Sequence, residues 1–224
     1  ATALDWDPAA ARDLGRDLAN TVALSTLAAT IAVAVGFVVA YASVRLRSVA
    51  GAAAVRAIQA GYVLPGPIAA VGVLLAVTAI PGGNALLGTA AVLVAAYLVR
   101  FLPQALQACE SSLAQMAPSI EEAGRASGAN AWRVLGRVTL PIARPGLVAG
   151  WVLVFLASAK ELPATLMLRP VDYDTLAVRV WQQTENEFYT LASPAALLLV
   201  LVTLPAAAFA LARELGDPAP GAAR

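Results

Sequence analysis

The sequence predicts an all-α fold, a polytopic membrane helical bundle, and three observations carry that prediction. Of the 224 residues, 60% are hydrophobic and only 13% charged, with a mean hydropathy of +0.75; soluble domains are nearer about one quarter charged. The apolar residues gather into segments of roughly 20, the length at which a helix crosses a bilayer. Polar, arginine-bearing stretches separate those segments. In lipid every backbone amide needs an internal partner, so the segments must be helices. A barrel would show short alternating strands, and the sequence has none.

Five segments meet the length requirement: 21–44, 62–80, 84–102, 145–168 and 191–212. The third is the weakest, because Arg100 and Pro103 interrupt its end; Arg100 is expected to snorkel to the interface. Arg45, Arg47 and Arg56 follow the first segment, Arg125, Arg133, Arg137 and Arg144 follow the third, and Arg213 follows the fifth. Pro81-Gly82-Gly83 carries no positive charge. The positive-inside rule therefore puts the arginine-rich sides in the cytoplasm and the N-terminus outside. Residues 1–20 become an extracytoplasmic lead-in, 21–213 the transmembrane domain and 214–224 a frayed cytoplasmic tail. The opening at Ala1, with neither a basic leader nor a signal peptide, reads as a piece of a longer protein or a processed chain.

Between the spans, 171–189 carries Leu176, Val178, Val180 and Trp181 among charges, which predicts a short amphipathic helix at the outer surface or lining a mouth. Residues 49–60 read as an interfacial helix, and Pro65-Gly66-Pro67 as a helix start or a gating hinge.

Charge and residue usage exclude several functions. Lys+Arg 15 against Asp+Glu 14 leaves +1, which does not point to nucleic acid. With no histidine and one cysteine, Cys109, there is no disulfide framework, His/Cys metal cage or histidine-based triad. No cofactor is implied. The one lysine, Lys160, stands between Ala159 and Glu161, so no phosphate-binding Gly-Lys-Ser/Thr loop exists. ATP chemistry, if used, comes from another polypeptide.

The polar stretch 118–141 is the richest in signals. Ser119-Ile120-Glu121-Glu122 reads as a capping box, with Ser119 capping the first turn and Glu122 reaching back. A helix then runs to Ser127, Gly128 supplies a left-handed residue, and Asn130 caps a second helix from Ala131. That helix is expected to present Trp132, Leu135 and Val138 along one side, with Arg133 and Arg137 one turn apart on another. Pro141 is expected to stop it. An exposed Trp with paired guanidiniums suits insertion into a partner's groove; an amphipathic hairpin lying on lipid headgroups is the alternative.

Glu122-Ala123-Gly124, then Gly128, then Val138-Thr139-Leu140-Pro141 resembles the E-A-A, x3, G, x9, I-x-L-P loop by which membrane subunits of ABC importers grip their ATPases. Gly124 stands for the last Ala and Val138 for Ile. Asn20-Thr21 resembles the N-T that opens this permease core, and the five-span core with its loop after span three is similar to the family's arrangement. Lys160-Glu161-Leu162-Pro163 through Arg169-Pro170, with Asp174-Thr175-Leu176-Ala177 and Arg179-Val180-Trp181, resembles the second half of ferric-iron importer permeases. Thiamine and other small-solute permeases are near relatives.

The resemblance implies a translocation subunit that is not itself an enzyme, driven by cytoplasmic ATP-binding subunits. These would be coupled through Glu122, Ala123, Gly128, Asn130, Trp132, Arg133, Leu135, Arg137, Leu140 and Pro141. It also implies a periplasmic or lipid-anchored substrate-binding protein and a second permease half. Within the fourth span, Lys160 and Glu161 point about 100 degrees apart and cannot simply satisfy each other. One reading has Glu161 line a cation's translocation path; the other has both residues tether the break before Pro163. Glu185, Glu187 and Tyr189 read as a solvated outer face or as contacts for a binding protein or released ion.

Overall fold

The computed structural model describes residues 8–216, which form ten α-helices and, among the described residues, no strand. Residues 1–7 of the expected lead-in and 217–224 of the expected tail lie outside the described residues. Four helices are long and apolar enough to cross a membrane: Ala9–Val44, Ala90–Gln115, Ala131–Ala159 and Tyr189–Ala212.

The segment 62–80 departs from expectation. Its helix, α3 (Gly66–Ala79), has 14 residues and rises only about 21 Å, short of the roughly 30 Å hydrocarbon core. Pro65 holds its N-cap and Pro67 sits in its first turn, so the two prolines shorten the helix at the start. The preceding helix, α2 (Val49–Ala60), is capped by Ser48 and folds back on the end of α1.

Three further boundaries differ for physical reasons. The helix α1 (Pro8–Val44) begins well before position 21; 8–20 is no loose lead-in, since Asp17 is fully buried. The helix α4 (Ala90–Gln115) runs straight through a buried Pro103, because packed neighbours tolerate the one missing amide bond. The expected span 145–168 divides into α7 (Leu140–Ala159) and α8 (Pro163–Leu168). Pro163 has no N–H to give, and its ring would strike the Ala159 carbonyl in a continuous helix.

The core forms where α1 lies against α4 and α7. Ala28, Ala29, Ala32 and Ala40 have no exposed surface, so the backbones approach closely, while Leu93, Tyr97, Leu106 and Val154 fill the seams. Trp151 stacks on Phe155 at 5.2 Å and donates from Nε1 to Thr30 Oγ1 at 3.1 Å. The short α9 (Leu176–Glu185) buries Leu176, Ala177 and Val178 and packs against α1 and α10 (Tyr189–Gly216). It is a structural member of the bundle rather than a free surface helix. Outermost, α10 exposes Leu197, Val200, Leu201 and Leu204, the apolar exterior of a bundle made for lipid. At one end of the bundle, α5 (Pro118–Ala126) and α6 (Ala131–Val134) form an elbow between α4 and α7.

Candidate functional site

The elbow is built from local chemistry, though not all of it as expected. Its capping box does not form: α5 starts at Pro118, with Ala117 at the N-cap and no side-chain bond there. Proline's fixed φ suits the first helical position and draws the start upstream of Ser119. Glu122 is left exposed, and its neighbour Glu121 turns inward instead. After Ala126 the chain turns at Gly128, whose φ of +85 a side chain would resist. Asn130 then caps α6 by accepting from the Arg133 amide at 2.8 Å.

Pro141 does not end the second arm. A π-turn (Leu135–Thr139) follows α6, and the Leu140 amide reaches back to the Leu135 carbonyl. The wider turn makes room for the ring of Pro141, which a regular helix would drive into the Arg137 carbonyl. The arm is therefore continuous with α7 through Ala159.

Trp132, Leu135 and Val138 do not share one environment. Trp132 is 81% exposed, Leu135 packs on the core beneath, and Val138 is half-buried. The fully buried residue is Val134, whose methyl lies 3.2 Å from where a Cβ on Gly124 would stand. A residue with no side chain at 124 lets the two arms close on each other. Ala123, Arg133 and Arg137 are exposed beside Trp132, Leu140 is half-buried, and Pro141 is exposed. The free face of the elbow thus joins an aromatic ring to two guanidiniums, with nothing in the chain covering it.

Beneath that face lies a buried charge node that the sequence reading missed. Glu121 is 3% exposed; it accepts from Thr139 Oγ1 at 2.8 Å and lies 3.5 Å from Arg45 Nε, an ion pair rather than a hydrogen bond. The Arg45 side chain, 7% exposed, donates from Nη2 to the carbonyls of Leu113 at 2.8 Å and Met116 at 2.7 Å. Those carbonyls close the end of α4, where no intrahelical donor remains. One guanidinium thereby joins α1, α4 and α5, and Glu121 extends the joint to the second arm.

Midway along the bundle, Lys160 and Glu161 part company. Glu161 is buried and pairs with Arg100, which does not snorkel. The same carboxylate accepts from the Ala164 amide at 3.1 Å, capping α8 across the break. Thr165 Oγ1 donates to the Glu161 carbonyl at 2.7 Å and shares a hydrogen bond of 2.6 Å with the Tyr97 hydroxyl. The start of α3 presses on this pair: a Cβ at Gly66 would lie 2.7 Å from Arg100 Nη1 and 3.1 Å from Glu161 Oε1. Lys160 is exposed at the end of α7.

A third group sits at the end of the bundle opposite the elbow. Buried Asp17 pairs with Arg179 Nε. Asn20 Nδ2 donates to the Asp174 carbonyl at 2.9 Å, and Thr21 Oγ1 accepts from the Leu176 amide at 2.9 Å. Asp174 itself pairs with Arg169. Burial pushes the Tyr173 phenol up from its ordinary value, keeping it a donor, toward the Asn20 carbonyl at 3.5 Å. Asn20-Thr21 is thus a clasp between α1 and the start of α9. Glu185, Glu187 and Tyr189 are exposed around the α9–α10 turn, with Glu187 at φ +64. Asp17 was detectable, since it shares the helical face of Thr21, Leu24 and Ala28. Nothing in the sequence marks Glu121 over Glu122.

Comparison with known proteins follows this geometry. Residues 32–213 match the family described as binding-protein-dependent transport system inner membrane component. The chain is 35% identical over 182 residues to the Fe(3+)-transport system permease protein FbpB 2 of Haemophilus influenzae, covering 81% of this chain and 36% of that protein. It is 30% identical over 138 residues to the putative 2-aminoethylphosphonate transport system permease protein PhnV of Salmonella paratyphi A, covering 62% and 51%. The chain spans 36% of the length of the first relative and 51% of the second. Among solved structures, the MetNI methionine ABC transporter in inward-facing conformations matches with a TM-score of 0.71 at 19% identity, covering 94% of this chain and all of that one. A bacterial alginate ABC transporter in complex with an alginate pentasaccharide-bound periplasmic protein matches with a TM-score of 0.67 at 16% identity, covering 87% and 76%. Those identities speak for the fold alone.

Proposed function

This chain belongs to the family of binding-protein-dependent transport system inner membrane components, and on that footing we propose that it forms a permease half of an ATP-driven importer of ferric iron. As a multi-pass protein of the bacterial inner membrane, it needs a path, a motor and a delivery protein. The observation that carries the reading is the elbow: a capped helix, a glycine turn and a second helix whose exposed Trp132, Arg133 and Arg137 stand on a buried anchor. A face of that chemistry fits a groove on a cytoplasmic ATP-binding subunit, and the arginine distribution supports a cytoplasmic elbow.

The short α3 supports a second permease half, fused or separate. At about 21 Å it cannot present a complete lipid-facing span, yet Ile68, Val71 and Leu75 are exposed along it. Another protein surface over that face resolves the mismatch. A substrate-loaded binding protein would meet the opposite end, near α9. Ferric cargo is supported by the likeness to the Haemophilus iron permease and by the string Lys160–Pro170. Relatives with other cargoes, phosphonate and molybdenum among them, make cargo the finer point to test.

The test is co-purification of the assembled complex with its ATPase, followed by hydrolysis assays with binding protein loaded with ferric iron, 2-aminoethylphosphonate or thiamine. Retention of the ATPase, with stimulation by the iron-loaded protein alone, is the expected result. Stimulation by another cargo would reassign the substrate and leave the permease reading standing. A chain that never retains an ATPase would be a carrier or scaffold of another kind.

A further inference from the structure

Resting on the importer reading, we propose that Arg45 and Glu121 are positioning residues for coupling: they fasten the elbow to the bundle so that movement at the docking face becomes movement of α1 and α4. The elbow has one stiff connection to the bundle by chain continuity, through the π-turn into α7. Its other arm, α5, follows α4 across Met116 and Ala117, neither of them helical. Left to the backbone alone, α5 could pivot about that joint without moving α4 or α1.

The node removes that freedom. Arg45 leaves the end of α1, grips the terminal carbonyls of α4 through Nη2, and faces Glu121 in the first turn of α5. On its other side Glu121 accepts from Thr139, which lies in the π-turn leading into α7. The three helices that make the core of the bundle thus converge on one carboxylate beneath the docking face. Because both side chains are nearly sealed from water, separating them leaves a charge stranded; the joint favours staying closed. Coupling between sites travels through packed elements with discrete arrangements, and this node is the one that makes the elbow and α1 move as a body.

The position of the node separates it from docking. Glu121 and Arg45 are buried, whereas Trp132, Arg133 and Arg137 are exposed on the face away from it. Loosening the node should therefore uncouple the machine without releasing the motor.

Glu121→Gln keeps the shape and the Thr139 contact but removes the charge; Thr139→Val is a milder cut that guards against a folding defect in the first. Each is assembled with its ATPase in nanodiscs and assayed for ATPase retention, for hydrolysis stimulated by iron-loaded binding protein, and for iron uptake in vesicles. We expect both variants to retain the ATPase, with uptake per ATP hydrolysed falling on the order of tenfold for Glu121→Gln and less for Thr139→Val. Arg45→Lys, which can still span Glu121 and a carbonyl, should restore uptake well above an Arg45→Met chain. A spin-label pair at Ala126 and Val38, both exposed, should show one narrow distance in the parent chain and a broadened one in Glu121→Gln. Unchanged uptake per ATP in both variants overturns the proposal, as does a lost ATPase in proportion to lost uptake, or an unbroadened distance. If the parent chain itself retains no ATPase, the importer reading fails, and the label distance still decides whether the node fastens the elbow.

Discussion

The two ends of α1 are held by buried ion pairs of different design. At the elbow, the charge of Arg45 is spread over a carboxylate and two carbonyls belonging to separate helices, with its Nε 3.5 Å from Glu121. At the opposite end, Arg179 makes a direct hydrogen bond to one oxygen of Asp17 and leaves the other, Oδ1, without a partner. The first joint collects several elements; the second buttons one helix to one neighbour and adds the Asn20 and Thr21 bonds beside it. A distributed joint transmits displacement among everything it touches. A local clasp resists separation of two parts and transmits little else.

Removing the cation tests that contrast most severely. Arg45→Met strands the Glu121 carboxylate and deprives the end of α4 of its donor, so a loss of about 3–5 kcal/mol is expected, read as a lowered unfolding temperature in detergent. Arg179→Met strands Asp17 alone and should fall at or below the lower edge of that range, about 3 kcal/mol. If the Arg179 variant unfolds at the lower temperature, the elbow joint is not the more extensive of the two.

How far these joints were legible follows from which forces leave a mark on sequence. The bundle was legible because burial in lipid demands long apolar runs, and α1, α4, α7 and α10 obey. The shortness of α3 was harder to see: the apolar run 62–80 is long enough, but the prolines at 65 and 67 govern where helix begins. In the elbow, Gly128 and Asn130 were readable because a positive φ and a capped amide are local requirements. Ser119 misled because a proline one residue earlier offered the helix a better start. Glu121 and Glu122 are adjacent identical residues, and only the tertiary position of Arg45, 76 positions upstream of Glu121, decides which of them is buried. Likewise Arg100 found Glu161 across 61 positions of chain, a pairing that hydropathy cannot express.

Hydroxyl deletions sharpen the comparison at smaller amplitude. Thr21→Val leaves the Leu176 amide buried without its acceptor, so the opposite clasp should weaken by about 1–3 kcal/mol. Thr139→Val removes one of two partners from Glu121 while Arg45 remains, and about 1 kcal/mol is expected. The order is informative. Hydrogen exchange at Leu176 should rise in the first variant with the elbow unaffected, and the reverse pattern should follow the second. Exchange that rises at both ends in either variant would mean that α1 relays strain along its length, and the contrast between transmitting and local joints would fall.

The smallest effect on the fold is expected where the largest effect on partnership lies. Trp132 is the most exposed large residue of the elbow, so Trp132→Ala removes almost no buried area and should shift unfolding by less than about 0.5 kcal/mol. If the indole anchors a groove on the ATP-binding subunit, the same change should weaken retention of that subunit by about 2 kcal/mol or more, near thirtyfold in affinity. The two numbers must be measured together, because a folding defect would imitate a docking defect. A variant as stable as its parent that loses the motor assigns Trp132 to the interface and leaves the buried node to coupling. A variant that keeps the motor at parental affinity removes the aromatic anchor from the docking face, and Arg133 and Arg137 must then hold the partner alone.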